Sequence, residues 1–150
     1  MSQSLAKILV HFIFSTKHRE PFIDEDIRQE MHAYLLTILR EFESPPIIIG
    51  SVEDHIHILC SLSKIYPACK IMEVTKAHSS KWVKTKGDRY QAFAWQNGYA
   101  AISIGESLVP ATRNYIARQR EHHTRMTFQE EYLRFLQRNS IPYDERYVWD

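Results

Sequence analysis

The chain has only two cysteines, Cys60 and Cys69, and they form no Cys-x-x-Cys pair. That excludes a disulfide-framed scaffold and a cysteine zinc site, and makes a reducing cytoplasm the default setting. Both thiols are expected to be buried small residues. No apolar run approaches the ~18–20 residues that cross a bilayer, so no membrane span is expected. No signal-peptide pattern opens the sequence, since Met1-Ser2-Gln3-Ser4 runs straight into a strand-like segment. No internal repeat, linker or low-complexity tract interrupts it. Charge of one sign is also missing: the net charge is +1, which by itself announces no polyanion.

What is present fits one globular domain over residues 1–150, with 44% hydrophobic and 25% charged residues. The charges are unevenly spread. Residues 64–86 carry Lys64, Lys70, Lys76, Lys81, Lys84 and Lys86 against Glu73 alone. Residues 111–125 carry Arg113, Arg118, Arg120 and Arg125 against Glu121 alone. Local potential steers binding more than net charge does, so two basic segments suit a polyanion, although solvated helix faces would look the same.

Alternation and periodicity give the elements. Residues 5–15 read as a strand with one continuously apolar face (Ala6, Ile8, Val10, Phe12, Phe14) and one mixed face that includes His11, a structural or substrate-side residue. Residues 24–41 read as a helix capped by Asp24 and ended by Ser44-Pro45-Pro46. Residues 47–53 and 55–62 are strands, either a tight hairpin or one bent strand. Residues 68–86 form a second helix, stopped by Gly87-Asp88. Asn97-Gly98 signals a turn into a strand over 99–104. Ser107 is expected to cap a third helix running to about His123, and Thr127 a last one. The order β-α-β-β-α-β predicts an α+β, ferredoxin-like (RRM-like) fold: an antiparallel four-stranded sheet with two helices on one face. A C-terminal helical extension follows from about residue 107.

On the strand over 55–62, Ile56, Ile58, Cys60 and Leu62 point one way, toward the two helices. His55 and His57 then share the opposite, open face about 6.5–7 Å apart, close enough for two imidazoles to converge on one cation. Strand histidines are common, and alone the pattern is weak. Asp54 is placed to orient one ring. Tyr115 and Gln119, four apart, share a helix face whose apolar stripe is poor, so the helix needs a specific docking site. A surface helix with an incidental tyrosine is the plain alternative. Phosphodiester cleavage would use such types. A tyrosine can form a phosphoester that keeps the bond energy for rejoining. Its ordinary pKa of about 10 means a nearby cation must favour the phenolate. Two neutral histidines and a glutamine oxygen leave a divalent ion strongly Lewis acidic, which suits Mg²⁺ or Mn²⁺.

These residues resemble a known family. Asp54-His55-Ile56-His57-Ile58-Leu59 is similar to the HUH strand, and Tyr115 through Gln119 to the Tyr-x-x-x-Gln helix, of the HUH single-tyrosine transposases. Those are the enzymes of the smallest bacterial insertion sequences and of repeated palindromic elements. Phe14-Ser15-Thr16-Lys17-His18-Arg19, Trp95-Gln96-Asn97-Gly98-Tyr99, Gln119-Arg120-Glu121-His122-His123, Phe128-Gln129-Glu130-Glu131-Tyr132 and Ile141-Pro142-Tyr143-Asp144 resemble it too, in order along the chain. The resemblance implies Tyr115 as nucleophile and His55, His57 and Gln119 as ligands of Mg²⁺ or Mn²⁺. It implies metal-assisted cleavage and rejoining of single-stranded DNA at hairpin-marked ends, through a 5′-phosphotyrosine and without a nucleotide cofactor. It implies a homodimer with shared active sites, in a bacterial or archaeal cytoplasm. Lys17, Arg19, Lys76, Lys81, Lys84, Arg113 and Arg118 are the natural phosphate contacts. Three rivals remain: a non-catalytic nucleic-acid-binding module, an HUH nuclease of replication or conjugation, and an unrelated hydrolase of small phosphoesters.

Overall fold

The computed structural model describes residues 2–150. Strand β1 (Leu9–Ser15) leads through a 3-10 turn at Lys17–Arg19 to helix α1 (Glu25–Glu41). Strands β2 (Pro46–Ser51) and β3 (His55–Ser61) form an antiparallel hairpin, which settles the hairpin-or-bent-strand ambiguity. Helix α2 (Ala68–Lys84) and strand β4 (Ala100–Ile104) complete the β-α-β-β-α-β order. The sheet order β2-β3-β1-β4 is that of the ferredoxin-like fold.

The first strand is shorter than its hydrophobic pattern suggests. Its ladder begins at Leu9, paired with Ser61 on one side and Ile104 on the other, where both neighbouring strands end. Asp24 caps α1 by accepting from the Asp26 amide, as its position before the apolar stripe predicts. One core lies between the sheet and the first two helices: Val10, Phe12, Phe14, Ile56, Ile58 and Cys60 meet Met31, Leu35, Ile71 and Val83. Cys69 departs from expectation. It sits exposed in the first turn of α2, on the side away from that core.

The second sheet face is not open. Helix α5 (Phe128–Arg138) covers it, and Phe128, Tyr132 and Leu136 pack on Ile13, Ala100 and Ile102. Every residue of β1 is consequently buried, on both faces. Thr127 caps α5 by accepting from the Glu130 amide. The expected helix over 107–123 is broken. A 3-10 turn (Glu106–Leu108) holds Ser107, which makes no cap bond; α3 spans Val109–Ala117 and α4 Gln119–His122. Arg118 joins them at φ −103° and ψ 27°, outside the helical basin. Neither proline nor glycine marks the break, so propensity could not announce it.

Helix α3 buries a single residue, Ile116. Its seat is Gly50 on β2. A Cβ there would lie 2.5 Å from the Ile116 carbonyl oxygen and 2.7 Å from its Cγ2. The glycine lets a helix backbone approach a strand backbone, and this sets the height of α3 over the sheet.

Candidate active site

His55 pairs across the ladder with Ser15, and His57 with Ile13, so both imidazoles rise from the middle of the sheet. They project under α5 rather than into solvent, and both are fully buried. Three other side chains arrive from the C-terminal segment. Gln119 comes from the start of α4, His123 from its end and Glu131 from the covered face of α5.

Glu131 is the hub. Its Oε1 lies 2.9 Å from His57 Nε2, 3.2 Å from His123 Nε2 and 3.3 Å from His55 Nε2. Its Oε2 accepts the phenolic proton of Tyr115. The Gln119 side-chain oxygen lies 3.2 Å from His55 Nε2, and the Tyr115 ring centroid 6.0 Å from that of His57. Tyr115 also stacks on His122 at 4.2 Å. The four residues expected from sequence, Tyr115, His55, His57 and Gln119, therefore converge within one chain.

The outer ring nitrogens are held as well. His55 Nδ1 donates to Asp54 Oδ1 at 2.7 Å, which is the orienting contact expected of Asp54. His57 Nδ1 meets His11 Nε2 at 2.8 Å, and His123 Nδ1 donates to the Met126 carbonyl at 2.9 Å. His11 is thus a buried partner of His57.

Electrostatics follow from this packing. Burial acts to lower the His55 pKa, but its bonds to Asp54 and Glu131 prevail and raise it to about 9. Burial lowers that of His57, against the pull of Glu131. Burial and the charge of His57 together lower His11 to about 3. For Glu131, burial works upward, but the surrounding imidazoles hold its carboxyl well below the carboxylate range. Burial and then the Glu131 charge push the Tyr115 phenol upward, so the protein's own groups keep it protonated.

The donor chemistry fits a divalent ion. Ligand atoms of His55, His57, His123 and Glu131 all lie within 4.8 Å of one another, and imidazole nitrogen with carboxylate oxygen is a donor set that such ions take. His123 and Glu131 escaped the spacing argument. One signal was available: Glu131 sits between Phe128 and Phe135 on the apolar stripe of its helix, where an acid has no packing reason to be.

Two clefts flank the cluster. One, of about 560 Å³, is lined by Arg19, Asp54, His123, Arg125 and Phe128. The other, of about 250 Å³, opens on Tyr115, His11, Thr112, Phe135 and Arg138. Of the expected phosphate contacts, Lys17, Arg113 and Arg118 are exposed, and Arg19 is partly buried under Trp149. Lys81 and Lys84 are exposed on α2, which packs on the opposite sheet face from the imidazoles. Lys76 points inward. Its ammonium donates to the carbonyls of Gln96, Asn97 and Gly98 at 2.9, 3.1 and 2.6 Å, and burial draws its pKa down to about 8.

Comparison with known proteins bears on this geometry. Two solved structures share the fold. One is a candidate transposase of Deinococcus radiodurans R1, 16% identical, with a TM-score of 0.62 over 79% of this chain and 98% of that one. The other is a REP-associated tyrosine transposase bound to a REP hairpin, 12% identical, with a TM-score of 0.53 over 77% of this chain and 68% of that one. No curated protein matches in sequence. The family model described as transposase, IS200-like, matches residues 4–119, a stretch that holds His55, His57, Tyr115 and Gln119. The chain belongs to the IS200-like transposase family.

Proposed function

We propose that this transposase cleaves and rejoins single-stranded DNA at hairpin-marked element ends, with Tyr115 as nucleophile. One observation carries the reading: the Tyr115 phenol is bonded to a carboxylate whose other oxygen faces three imidazoles. The structural neighbour bound to a REP hairpin supports a hairpin as the recognised form.

In this reading the phenolic oxygen attacks the scissile phosphorus. The phenolic proton passes to its acceptor Glu131, a tyrosyl O–P bond forms, the P–O3′ bond breaks, and the leaving oxygen takes a proton from solvent to become a free 3′-hydroxyl. The 5′-phosphotyrosine ester conserves the bond energy, so attack by a 3′-hydroxyl reseals the strand without ATP. His55, His57 and Gln119 would hold a divalent ion, Mg²⁺ or Mn²⁺, which when bound would supply charge neutralisation at the phosphate and favour the phenolate. Asp54 and His11 fix the two imidazole rings from behind. Glu131 holds the phenol near the imidazoles until substrate arrives. Arg19 lines the larger cleft, and with exposed Lys17, Arg113 and Arg118 it meets the backbone phosphates.

The whole span 1–150 acts as one domain, since the segment from about 107 supplies Tyr115, Gln119, His123 and Glu131 to a site seated on the sheet. The homodimer and the cytoplasmic, nucleoid-side location belong to the same proposal. No helix among the described residues is long and apolar enough to cross a membrane.

The test is incubation with labelled single-stranded DNA hairpins and Mg²⁺ or Mn²⁺, followed by a denaturing gel. A protein–DNA adduct lost in Tyr115→Phe is expected. Binding without an adduct would favour the non-catalytic module. Adducts on origin sequences rather than hairpins would favour a replication or conjugation nuclease, and turnover of a model diester without an adduct a small-molecule hydrolase.

A further inference from the structure

We infer that His123 and Glu131 join His55 and His57 in one centre of three imidazoles and a carboxylate, which selects a transition ion such as Zn²⁺, Co²⁺ or Mn²⁺ over Mg²⁺. This deepens the function proposed above and rests on its assignment of His55 and His57 as ligands. Both added residues lie beyond residue 119, where the family match ends.

Three observations carry it. First, the three Nε2 atoms turn toward a single carboxylate oxygen at 2.9–3.3 Å, two from β3 and one from the C-terminal cap of α4. All four ligand atoms lie within 4.8 Å of one another, the spacing that donors around one ion would have. Second, each ring is held from behind: His55 by Asp54, His57 by His11, His123 by the Met126 carbonyl. Metal-ligating histidines show this pattern, because the partner on the outer nitrogen fixes the tautomer that leaves the inner one free to coordinate. For His123 the point is sharp. With its Nδ1 hydrogen given to a carbonyl, its Nε2 is the nitrogen turned toward the shared point. Third, Glu131 is 1% exposed on the apolar stripe of α5, where its carboxylate meets the imidazoles instead of solvent.

The donor set decides the class of ion. Mg²⁺ demands near-ideal octahedral oxygen ligation and keeps several waters, which three imidazoles in a buried pocket do not provide. Imidazole nitrogen with one carboxylate suits Mn²⁺, Co²⁺ and Zn²⁺. Gln119, 3.2 Å from His55 Nε2, stands beside this set as an additional neutral oxygen. Glu131 spans ion and nucleophile, with one oxygen in the imidazole ring and the other on Tyr115.

The experiment is titration of the purified full chain with Co²⁺, Zn²⁺, Mn²⁺ and Mg²⁺ by calorimetry, with the visible bands of bound Co²⁺ as a reporter of ligand number and type. One ion per chain is expected, with Mg²⁺ at least about 100-fold weaker than Co²⁺. Glu131→Gln and His123→Ala should each weaken Co²⁺ about tenfold or more and shift its bands, with circular dichroism unchanged. Glu131→Asp, which keeps the charge, should recover part of the affinity and guards against a misfolded Gln variant. Wild-type affinity and bands in both Glu131→Gln and His123→Ala would overturn the four-donor centre, as would Mg²⁺ binding as tightly as Co²⁺. His55→Ala separates the two proposals. Undiminished binding there removes the histidine pair itself, whereas lost binding there with none lost at residues 123 and 131 removes only the larger set.

Discussion

Tyr115 donates its phenolic proton to Glu131, sixteen residues further along the chain. That bond ties α3 to α5 directly above the histidines of β3. It also sets a chemical problem. Burial and the carboxylate's charge both hold the phenol protonated, so the nucleophile is unready until positive charge offsets Glu131.

Replacing Tyr115 by Phe separates structure from chemistry. The variant loses one hydrogen bond to a charged acceptor, worth about 1.5–3 kcal/mol, while Glu131 keeps its imidazole partners. Urea unfolding should show a stability loss within that range. Hairpin binding should persist, and the covalent adduct should vanish entirely.

Gly50 gives a second prediction, at a residue that touches no reacting group. Gly50→Ala puts a methyl carbon 2.5 Å from the Ile116 carbonyl oxygen, on backbone that cannot rotate away. The helix must lift, and Tyr115 lifts with it. Misplacing a reacting group by about 1 Å can cost about 100-fold in rate. Cleavage should fall by that order in single-turnover assays, while far-UV circular dichroism stays as in the wild type. Unchanged cleavage would show that α3 is not set by this contact.

The contrast between Gly50 and His55 shows what a single sequence makes legible. Strand alternation placed Ile56 and Ile58 in the core and His55 and His57 opposite, because a period of two follows from backbone geometry alone. Asp24 and Thr127 were readable as caps for the same local reason. The cover over the imidazoles was not readable, since α5 reaches them by tertiary packing across a chain separation of more than seventy residues. The break at Arg118 and the arrival of His123 depend on that same docking. Gly50 looks like an ordinary weak strand residue until α3 is seen against it.

The lysines and arginines divide on geometry. Lys76 is committed to three backbone carbonyls and lies over the Phe14 and Tyr99 rings. Lys76→Met should destabilise the turn into β4 by about 1–3 kcal/mol and leave the salt dependence of DNA binding unaltered. Arg113 is exposed on the nucleophile helix, two residues before Tyr115. Arg113→Ala should leave the melting temperature unchanged and reduce the slope of log affinity against log salt by about 0.7, the value of one phosphate contact on a single strand. Fluorescence anisotropy at several salt concentrations checks both.

Acid stability should depend on His32. Its Nε2 lies 2.7 Å from Ser51 Oγ, and burial, with the Arg28 charge, lowers its pKa to about 4 from the ordinary 6.5. Between those values the unfolded chain binds the proton and the folded chain resists it. The His32 contribution is therefore complete above pH 6.5 and is lost as pH falls toward 4, with a slope of at most about 1.4 kcal/mol per pH unit. His11 acts in the same direction over a wider range, and His55, raised to about 9, contributes slope only above 6.5. The difference between wild type and His32→Gln in urea unfolding from pH 7 to 4.5 isolates the residue. The variant should show the shallower acid loss.

Exchange of the tyrosine helix between two copies would have to undo several contacts at once. Ile116 leaves its seat on Gly50, Tyr115 leaves Glu131, and Gln119 leaves His55. All three contacts form within one chain here, and an exchanged pair would make the same three contacts between its two copies. Mixing Tyr115→Phe with His55→Asn distinguishes the arrangements. If each chain completes its own site, every copy in the mixture lacks one essential group and no adduct forms. If helices are exchanged, a mixed pair holds one intact site, made from the tyrosine of one variant and the imidazoles of the other, and the adduct returns. The homodimer with shared sites predicts that the adduct returns after co-refolding, which gives an exchanged pair every opportunity to assemble; an inactive mixture would show that each chain completes its own site. Light scattering on the same samples then reads the dimer independently of the exchange, because two copies can associate through another surface while each keeps its own tyrosine.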